Sequence, residues 1–245
     1  MDVFSPSFFA ALAQIMLVNI VLSGDNAVVI ALAARNLPPR HQRAAILWGS
    51  GGAIVLRVFL TVVAVELLRI PYLQALGGLL LVWIAVQLLV EDDDAGEDHH
   101  HAHGSMWSAI KTILIADGVM SLDNTLAIAG VAKGNWTLLI AGLALSIPLI
   151  VAGSTLIMKM MDRFPVVVYV GAALIAWTAG EMIESDQAVA PLLPHQVHEW
   201  SLLAVALTPG VLLYGGWSNA RKARSARDVL EADKHAAQRL EDRID

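Results

Sequence analysis

Cysteine is absent from all 245 residues of this sequence. Its absence excludes disulfide bonds, thiolate metal ligands and cysteine nucleophiles. Charge is also scarce: 16% of the residues are charged, against roughly 25% in an average soluble domain. The net charge of −6 leaves no basic footprint, so we expect no nucleic-acid partner. P-loop and His-Glu-x-x-His patterns are missing, and we predict a protein that is not an enzyme and has no tightly bound cofactor.

Apolar residues, in contrast, are abundant: they make up 57% of the chain, and the mean hydropathy is +0.63. They form repeated runs of the roughly 20 residues that a bilayer-spanning helix needs. Lipid cannot satisfy backbone polar groups, so helices are the expected spanning structure. We therefore predict an all-α, polytopic membrane helix bundle in a lipid bilayer. Its seven predicted transmembrane helices are at residues 8–34, 44–68, 71–90, 108–132, 136–158, 165–184 and 197–217.

An internal repeat organises these spans. The motif Ser-x-Asp-Asn occurs twice, ending at Asn26 and Asn124, which are 98 residues apart. Further on, Pro71 aligns with Pro165 at an offset of 94. Each copy has three spans, an odd number, so the copies must cross the bilayer in opposite directions, as in many secondary transporters. The predicted organisation is a 3+3 inverted repeat plus one helix: repeat 1 at 8–90, an acidic and histidine-rich loop at 91–107, repeat 2 at 108–184, a seventh transmembrane helix at 197–217 and a charged tail at 218–245.

The distribution of basic residues predicts the orientation. Cytoplasmic connections of membrane proteins are enriched in Lys and Arg. An outside N-terminus and a cytoplasmic C-terminus place more basic residues on the inner side, where the acidic loop and the tail then also lie. We therefore expect a multi-pass protein of the inner (cytoplasmic) membrane. The inner connections then hold Arg35, Arg40, Arg43, Lys159 and Arg163, and the outer ones hold Arg69 and Lys133.

Polar side chains recur at helical spacing inside two of the spans. Asn19, Ser23 and Asn26 are at positions i, i+4 and i+7, so they share one helix face. Repeat 2 has the same spacing. Gly24 is expected to let the first helix unwind locally and turn Asp25 inward, whereas the second copy has a leucine there, so the site need not be symmetric. The predicted metal-site residues are Asp25, Asn26, Asp117, Asp123, Asn124, Asn19, Ser23 and Ser121.

The chemistry of this set is that of carboxylate, amide and hydroxyl oxygens. Such hard ligands suit Mg²⁺, Ca²⁺ and Mn²⁺. An Asp within hydrocarbon costs roughly 2.5–3.5 kcal/mol on insertion scales, so its repetition favours a function. The alternative is that these residues hydrogen-bond across helices and fix their packing. Arg57 lies in the middle of a span, and we expect it to pair with a buried carboxylate as a structural or gating ion pair.

The acidic loop carries four histidines. Two interpretations stay open: a solvated linker, or auxiliary capture of a metal in the cytoplasm. The histidines are His99, His100, His101 and His103.

Two segments, Leu22-Ser-Gly-Asp-Asn-Ala27 and Asp117-Gly-Val-Met-Ser-Leu-Asp-Asn124, resemble the paired signatures of TerC-family integral membrane proteins. The 3+3+1 layout is similar to the short YjbE-like branch of that family, and the resemblance covers about residues 8–217. It implies manganese export, by a family related to the LysE-type superfamily, or delivery of manganese to exported metalloenzymes. The functional positions it implies are Asp25, Asn26, Asp117, Asp123 and Asn124.

Three functions therefore remain as hypotheses. The first is a secondary transporter that exports a divalent metal cation, Mn²⁺ above all, by proton antiport through midplane Asp residues. The second is an exporter of a small organic cation or amino acid. The third is a non-transporting scaffold that hands metal to an exported enzyme or to secretion machinery. Homo-oligomerisation is compatible with all three.

Overall fold

A computed structural model describes residues 5–90, 105–132, 135–194 and 201–241, with the backbone alone at residues 20, 64, 65, 123, 126, 129, 223 and 226–241. Within these ranges the chain forms eight α-helices and one short 3₁₀ helix, and no strand, which confirms the all-α class. The helices are α1 Pro6–Leu22, α2 Gly24–Ala34, α3 Pro39–Leu67, α4 Leu73–Val90, α5 Met106–Ala132, α6 Trp136–Arg163, α7 Val166–Ser185, the 3₁₀ helix Ala190–Leu192 and α8 Leu202–Glu241.

Local signals explain several helix starts. The hydroxyl of Ser5 accepts from the backbone N–H of Phe8 at 3.2 Å, and Pro6 follows at the first helical position, where its missing N–H costs nothing. Asn135 caps α6 in the same way, through the backbone N–H of Leu138 at 3.1 Å. The final helix is longer than the predicted seventh span: α8 continues to Glu241, so the segment predicted as a charged tail is largely helical.

The apolar helices confirm a multi-pass membrane protein. In the described part of the chain, four are long and apolar enough to cross a bilayer: residues 39–63 of α3, and α4, α6 and α7. The consecutive helices α1 and α2 add a fifth span if the bent pair crosses as one. Large apolar side chains face outward, among them Trp48 at 69% and Val55 at 71% exposure, as a lipid-facing surface requires. The predicted total of seven spans stays a prediction.

The helices pack in a regular scheme. Helix α3 lies against α5, α4 against α7, α7 against α8, and both α1 and α2 against α6. The main apolar core includes Ile84, Ile113 and Ile175, contributed by α4, α5 and α7. Small residues permit close approach: a Cβ on Gly180 would lie 2.3 Å from the Cα of Ala204 in α8.

The helix ends form two opposite faces. At one face, the last carbonyls of α4 are capped from other helices: Arg35 donates to the carbonyl of Leu88 at 2.7 Å, and Lys222 to that of Val90 at 3.4 Å. Cations stabilise a helix C-terminus because they complement its dipole. The end of α2, the end of α4 and the polar part of α8 are therefore on the same side. The start of α4 meets the end of α7 at the other end of these two helices.

Candidate functional site

A break in the first apolar segment positions the candidate site. Helix α1 ends at Leu22, Ser23 has a non-helical backbone, and α2 begins at Gly24. The two helix axes are bent by 52°, and the break falls next to the glycine where unwinding was predicted. The break frees backbone carbonyls, and that of Leu22 accepts from the side-chain amide of Asn124 at 2.9 Å. The second copy of the motif thus supports the break in the first.

The guanidinium of Arg57 is at the centre of the buried polar cluster. Its Nη2 donates to Oδ1 of Asp117 at 2.6 Å, and its Nε donates to the hydroxyl of Ser121 at 3.0 Å. Its Nη1 donates to the hydroxyl of Ser23 at 2.6 Å and to the side-chain oxygen of Asn19. Arg57 is 2% exposed and Asp117 is 6% exposed. The expected pairing of Arg57 with a buried carboxylate is confirmed, and the partner is Asp117.

Amide and hydroxyl groups complete the surroundings of Asp117. The side-chain amide of Asn26 donates to Oδ1 at 2.6 Å, and the hydroxyl of Ser121 donates to Oδ2 at 3.2 Å. The amide of Asn19 donates to Ser146 at 2.6 Å, which ties α6 to the cluster. Oδ1 of Asn26 is buried and has no hydrogen-bond partner. Five predicted site residues therefore meet in one place: Asn19, Ser23, Asn26, Asp117 and Ser121.

Asp25 occupies a different position. It lines a cavity of about 520 Å³ that it shares with Asn124 and with Glu181 and Glu184 near the end of α7. One of its oxygens accepts from the backbone N–H of Asn26 at 2.9 Å. Among the described residues, the ion pairs are Arg57–Asp117 and one at the surface, so Asp25 is in neither. At the break, Asp25 therefore faces the cavity, whereas the neighbouring Asn26 faces the cluster around Asp117.

The donor set for a cation is mixed. In the part of the chain that the structure describes, no three His, Asp or Glu side chains group closely enough to hold a metal ion. A cation there would use amide and hydroxyl oxygens beside carboxylates, as Mg²⁺ and Ca²⁺ sites do. The remaining predicted ligands lie outside the described residues, so their roles stay predictions: the side chain of Asp123, and His99, His100, His101 and His103.

Sequence reasoning missed Ser146 and two acids at the end of α7. The repeat gives no signal for Ser146, because its counterpart at the offset of 94 is Gly52. Glu184, only 3% exposed, accepts from the backbone N–H of Leu203 at 2.5 Å and so caps the start of α8. From the sequence, an acidic residue at the end of an apolar span is expected to be exposed to solvent, so the burial of Glu184 was not predicted.

The second acid, Asp186, caps a helix that is distant in sequence. Its carboxylate accepts from the backbone N–H groups of Tyr72 at 3.1 Å and Ala75 at 3.2 Å, at the start of α4. It also accepts from the N–H of Ala188 at 2.8 Å. Burial of Asp186 disfavours its charged form, but these hydrogen bonds outweigh that effect and hold its pKa below the ordinary value of 3.8. The charged carboxylate therefore stabilises the junction between α4 and α7.

Apolar helices around a buried ion pair define the class: a multi-pass integral membrane protein with charged groups inside its helix bundle. The family model described as "Integral membrane protein TerC family" matches residues 4–223. The chain belongs to the TerC family, as its motifs predicted.

Relatives with similar sequences are themselves named as membrane proteins. The chain is 39% identical to the uncharacterized membrane protein YjbE of Bacillus subtilis over 206 residues, which covers 84% of this chain and 94% of the relative. It is 23% identical to the uncharacterized membrane protein YceF of the same species, over 94% of this chain and 89% of the relative. It is 26% identical to the inner membrane protein YoaE of Escherichia coli, with 35% of that protein covered. No solved structure matches the chain.

Proposed function

We propose that this protein is a secondary transporter that exports a divalent metal cation, Mn²⁺, from the cytoplasm. The observation that carries the proposal is the buried cluster around Asp117 and Asn26, beside a break in an apolar helical segment. Charged residues inside a bilayer are costly and mark ion pathways or proton relays. Broken helices near the midplane supply the binding sites of many secondary transporters.

The oxygen donors of the site support a divalent cation as the substrate. Asp117, Asn26 and Ser121 offer carboxylate, amide and hydroxyl oxygens, the donors that hard divalent cations prefer. Asp25 lines the adjacent cavity and adds a second carboxylate to the pathway. Among the cations that accept such ligands, Mn²⁺ is the one implied by the resemblance to the TerC family.

The cavity supplies a route for the cation. It runs from Asp25 at the helix break to Glu184 and Ser201, where α7 ends and α8 begins. With the N-terminus outside, this end of α7 faces the exterior, so we assign the cavity to the exit path. Acidic side chains along a cleft raise the local concentration of cations and guide them.

Export of a dication needs a driving force. Moving two positive charges against an inside-negative potential costs roughly 4.6 kcal/mol per 100 mV. The sequence has no P-loop, so we propose exchange for protons in place of ATP hydrolysis. A desolvated carboxylate without a bound cation takes up a proton, and we assign this role to Asp25 and Asp123.

The helix packing supports the proposed inverted repeat and orientation. In the proposed repeat, α1 and α2 together correspond to α5, α3 corresponds to α6, and α4 corresponds to α7. The contact of α3 with α5 should then have a counterpart between α6 and the pair α1 and α2, and α4 should contact α7. All of these contacts are present. Arg35 and Lys222 lie on the same face, which supports a common cytoplasmic side for the first connection and the start of the tail. We therefore propose seven spans in the cytoplasmic membrane, with the N-terminus outside and the C-terminus inside.

The geometry disfavours the amino-acid alternative. A zwitterionic substrate needs a cationic partner for its carboxylate, and Arg57 is the basic residue in the cluster. All three guanidinium nitrogens of Arg57 already donate to protein acceptors, so a substrate carboxylate would have to compete with Asp117 and the neighbouring hydroxyl groups for them. The scaffold alternative predicts metal binding without flux, and a transport measurement separates it from export.

Flux of Mn²⁺ in proteoliposomes tests the proposal. The purified full-length protein would be reconstituted with a Mn²⁺-sensitive dye and a pH indicator trapped inside. We expect Mn²⁺ movement with counter-movement of protons in the wild type, and loss of both in Asp25→Asn and Asp123→Asn. The matched control is Glu66→Gln, because the Glu66 side chain is 74% exposed and pairs with Arg69 at the surface.

Each outcome has a separate meaning. Absence of flux from a folded, reconstituted wild type would refute export and favour the scaffold. Flux that ignores an imposed proton gradient would refute proton antiport and leave export intact. Inhibition of Mn²⁺ flux by amino acids would revive the amino-acid alternative. Loss of flux in Glu66→Gln would show that the effect of the Asp variants is not specific to the pathway.

A further inference from the structure

We propose that Arg57 is a built-in competitor of the transported cation: it occupies Asp117 in the empty protein and is displaced when a divalent cation binds between Asp117 and Asn26. This inference rests on the proposed function, which it extends by assigning a role to the positive charge in the site. It concerns the competition of two cations for one carboxylate.

The occupancy of Asp117 is the first observation. Its Oδ1 accepts from Arg57 and from Asn26, both at 2.6 Å, and its Oδ2 accepts from Ser121 at 3.2 Å. A divalent cation binds carboxylate oxygens at about 2.0–2.6 Å. On either oxygen of this carboxylate, the cation would lie close to the guanidinium as a like charge inside a low-dielectric bundle, where repulsion is strong. Cation binding therefore requires Arg57 to leave Asp117.

The second observation is an acceptor without a partner. Oδ1 of Asn26 is buried and makes no hydrogen bond, although the amide nitrogen of the same side chain donates to Asp117. Buried polar atoms in proteins are almost always paired, so an unpaired one calls for an explanation. A cation bound beside Asp117 would satisfy this oxygen. The carboxylate held by Arg57 and the free amide oxygen thus lie on neighbouring side chains.

Arg57 also keeps hydrogen-bond acceptors after it leaves Asp117. Its other two nitrogens donate to Asn19, Ser23 and Ser121, which carry no charge. These acceptors can retain the guanidinium inside the bundle while Asp117 binds the cation. When the cation is released, Arg57 returns to Asp117. The charge of the Asp117 carboxylate is then neutralised by Arg57 while the empty protein changes conformation. A buried carboxylate without its partner is strongly destabilising, so this return makes the empty state accessible.

Binding of Mn²⁺ alone to the full-length protein in detergent is the decisive measurement. Arg57→Met removes the charge and keeps much of the side-chain volume, and we expect it to bind Mn²⁺ about tenfold more tightly, within the 5–150-fold range of typical coupled binding. Transport by Arg57→Met should slow by a similar factor, because the empty protein lacks its counter-charge. Arg57→Met/Asp117→Asn removes both groups and should show no tightening over the wild type.

A conservative variant keeps the test decisive if Arg57→Met does not fold. Arg57→Lys keeps the charge but loses the fork that reaches several acceptors, so we expect tightening by about threefold, below the range for complete decoupling. Unchanged or weaker Mn²⁺ binding in the folded single variants would overturn the competition. Tighter binding without flux in any variant would keep the competition and refute export. Flux with unaltered binding in the variants would keep export and refute the competition.

Discussion

Replacement of Gly180 by alanine tests the packing of α7 against the start of α8. A Cβ at this position would lie 2.3 Å from the Cα and 2.6 Å from the nitrogen of Ala204. Non-bonded carbon atoms pack at about 3.5–4.0 Å, so the two helices must separate by roughly 1.2 Å to admit one methyl group. The contacted atoms belong to the backbone, and no side-chain rotation can relieve the overlap.

The expected loss of stability follows from these distances. Overpacking of this kind costs about 1–3 kcal/mol. The displacement would also lengthen the 2.5 Å hydrogen bond from the N–H of Leu203 to Glu184, and loss of a helix cap adds about 0.5–2 kcal/mol. Alanine is the better helix former by about 1 kcal/mol, which offsets part of the loss. We expect Gly180→Ala to lower the free energy of unfolding by about 0.5–4 kcal/mol.

Reversible unfolding in detergent, followed by circular dichroism, measures this loss. The control is Gly210→Ala in α8, where an added Cβ meets no atom within 4 Å. That variant gains helix propensity alone and should be as stable as the wild type or up to about 1 kcal/mol more stable. Equal unfolding free energies for the two variants would refute the close approach of α7 and α8.

Two further predictions concern the acids at the end of α7. Asp186→Asn should cost about 1–3 kcal/mol at neutral pH, because charge-assisted hydrogen bonds to backbone N–H groups are weakened. The folded pKa of Asp186 lies below 3.8, so its contribution is present above that pH and is lost as the pH falls through the folded pKa. Thermal unfolding followed from neutral pH to below the folded pKa of Asp186 should show the gap between wild type and variant closing only under pH 3.8, and a gap that stays constant over that whole range would contradict this. Glu184→Gln keeps an acceptor for Leu203 and should unfold like the wild type, whereas Glu184→Ala should lose about 0.5–2 kcal/mol; equal losses would contradict the capping role.

Hydropathy located most helices because lipid leaves the backbone no external partner. Spans predicted at 71–90 and 165–184 correspond to α4 at Leu73–Val90 and α7 at Val166–Ser185. Hydropathy does not detect a polar helix. The residues after Trp217 are rich in Ala and Arg, which are good helix formers, and α8 continues through them.

Helical spacing identified the residues that share one face of the candidate site, but it did not show that Asp25 lies apart from them. Asn19, Ser23 and Asn26 do lie together, because i, i+4 and i+7 positions stay near one another despite the break. Unwinding at Gly24 was expected to turn Asp25 inward as well, yet Asp25 lines a separate cavity, which it shares with Asn124. A bend of 52° changes the direction of side chains on either side of it, and a sequence pattern does not contain that angle.

The sequence by itself determined the membrane environment, most of the helices and the repeated polar motif, because each depends on composition or on spacing along one helix. Tertiary structure alone decided the partners: Arg57 binds Asp117, 60 residues away, and Asp186 caps α4, 114 residues from Tyr72. Which side chains meet depends on how each helix is rotated about its axis. That rotation is set by packing against helices from the rest of the chain, so no local pattern encodes it.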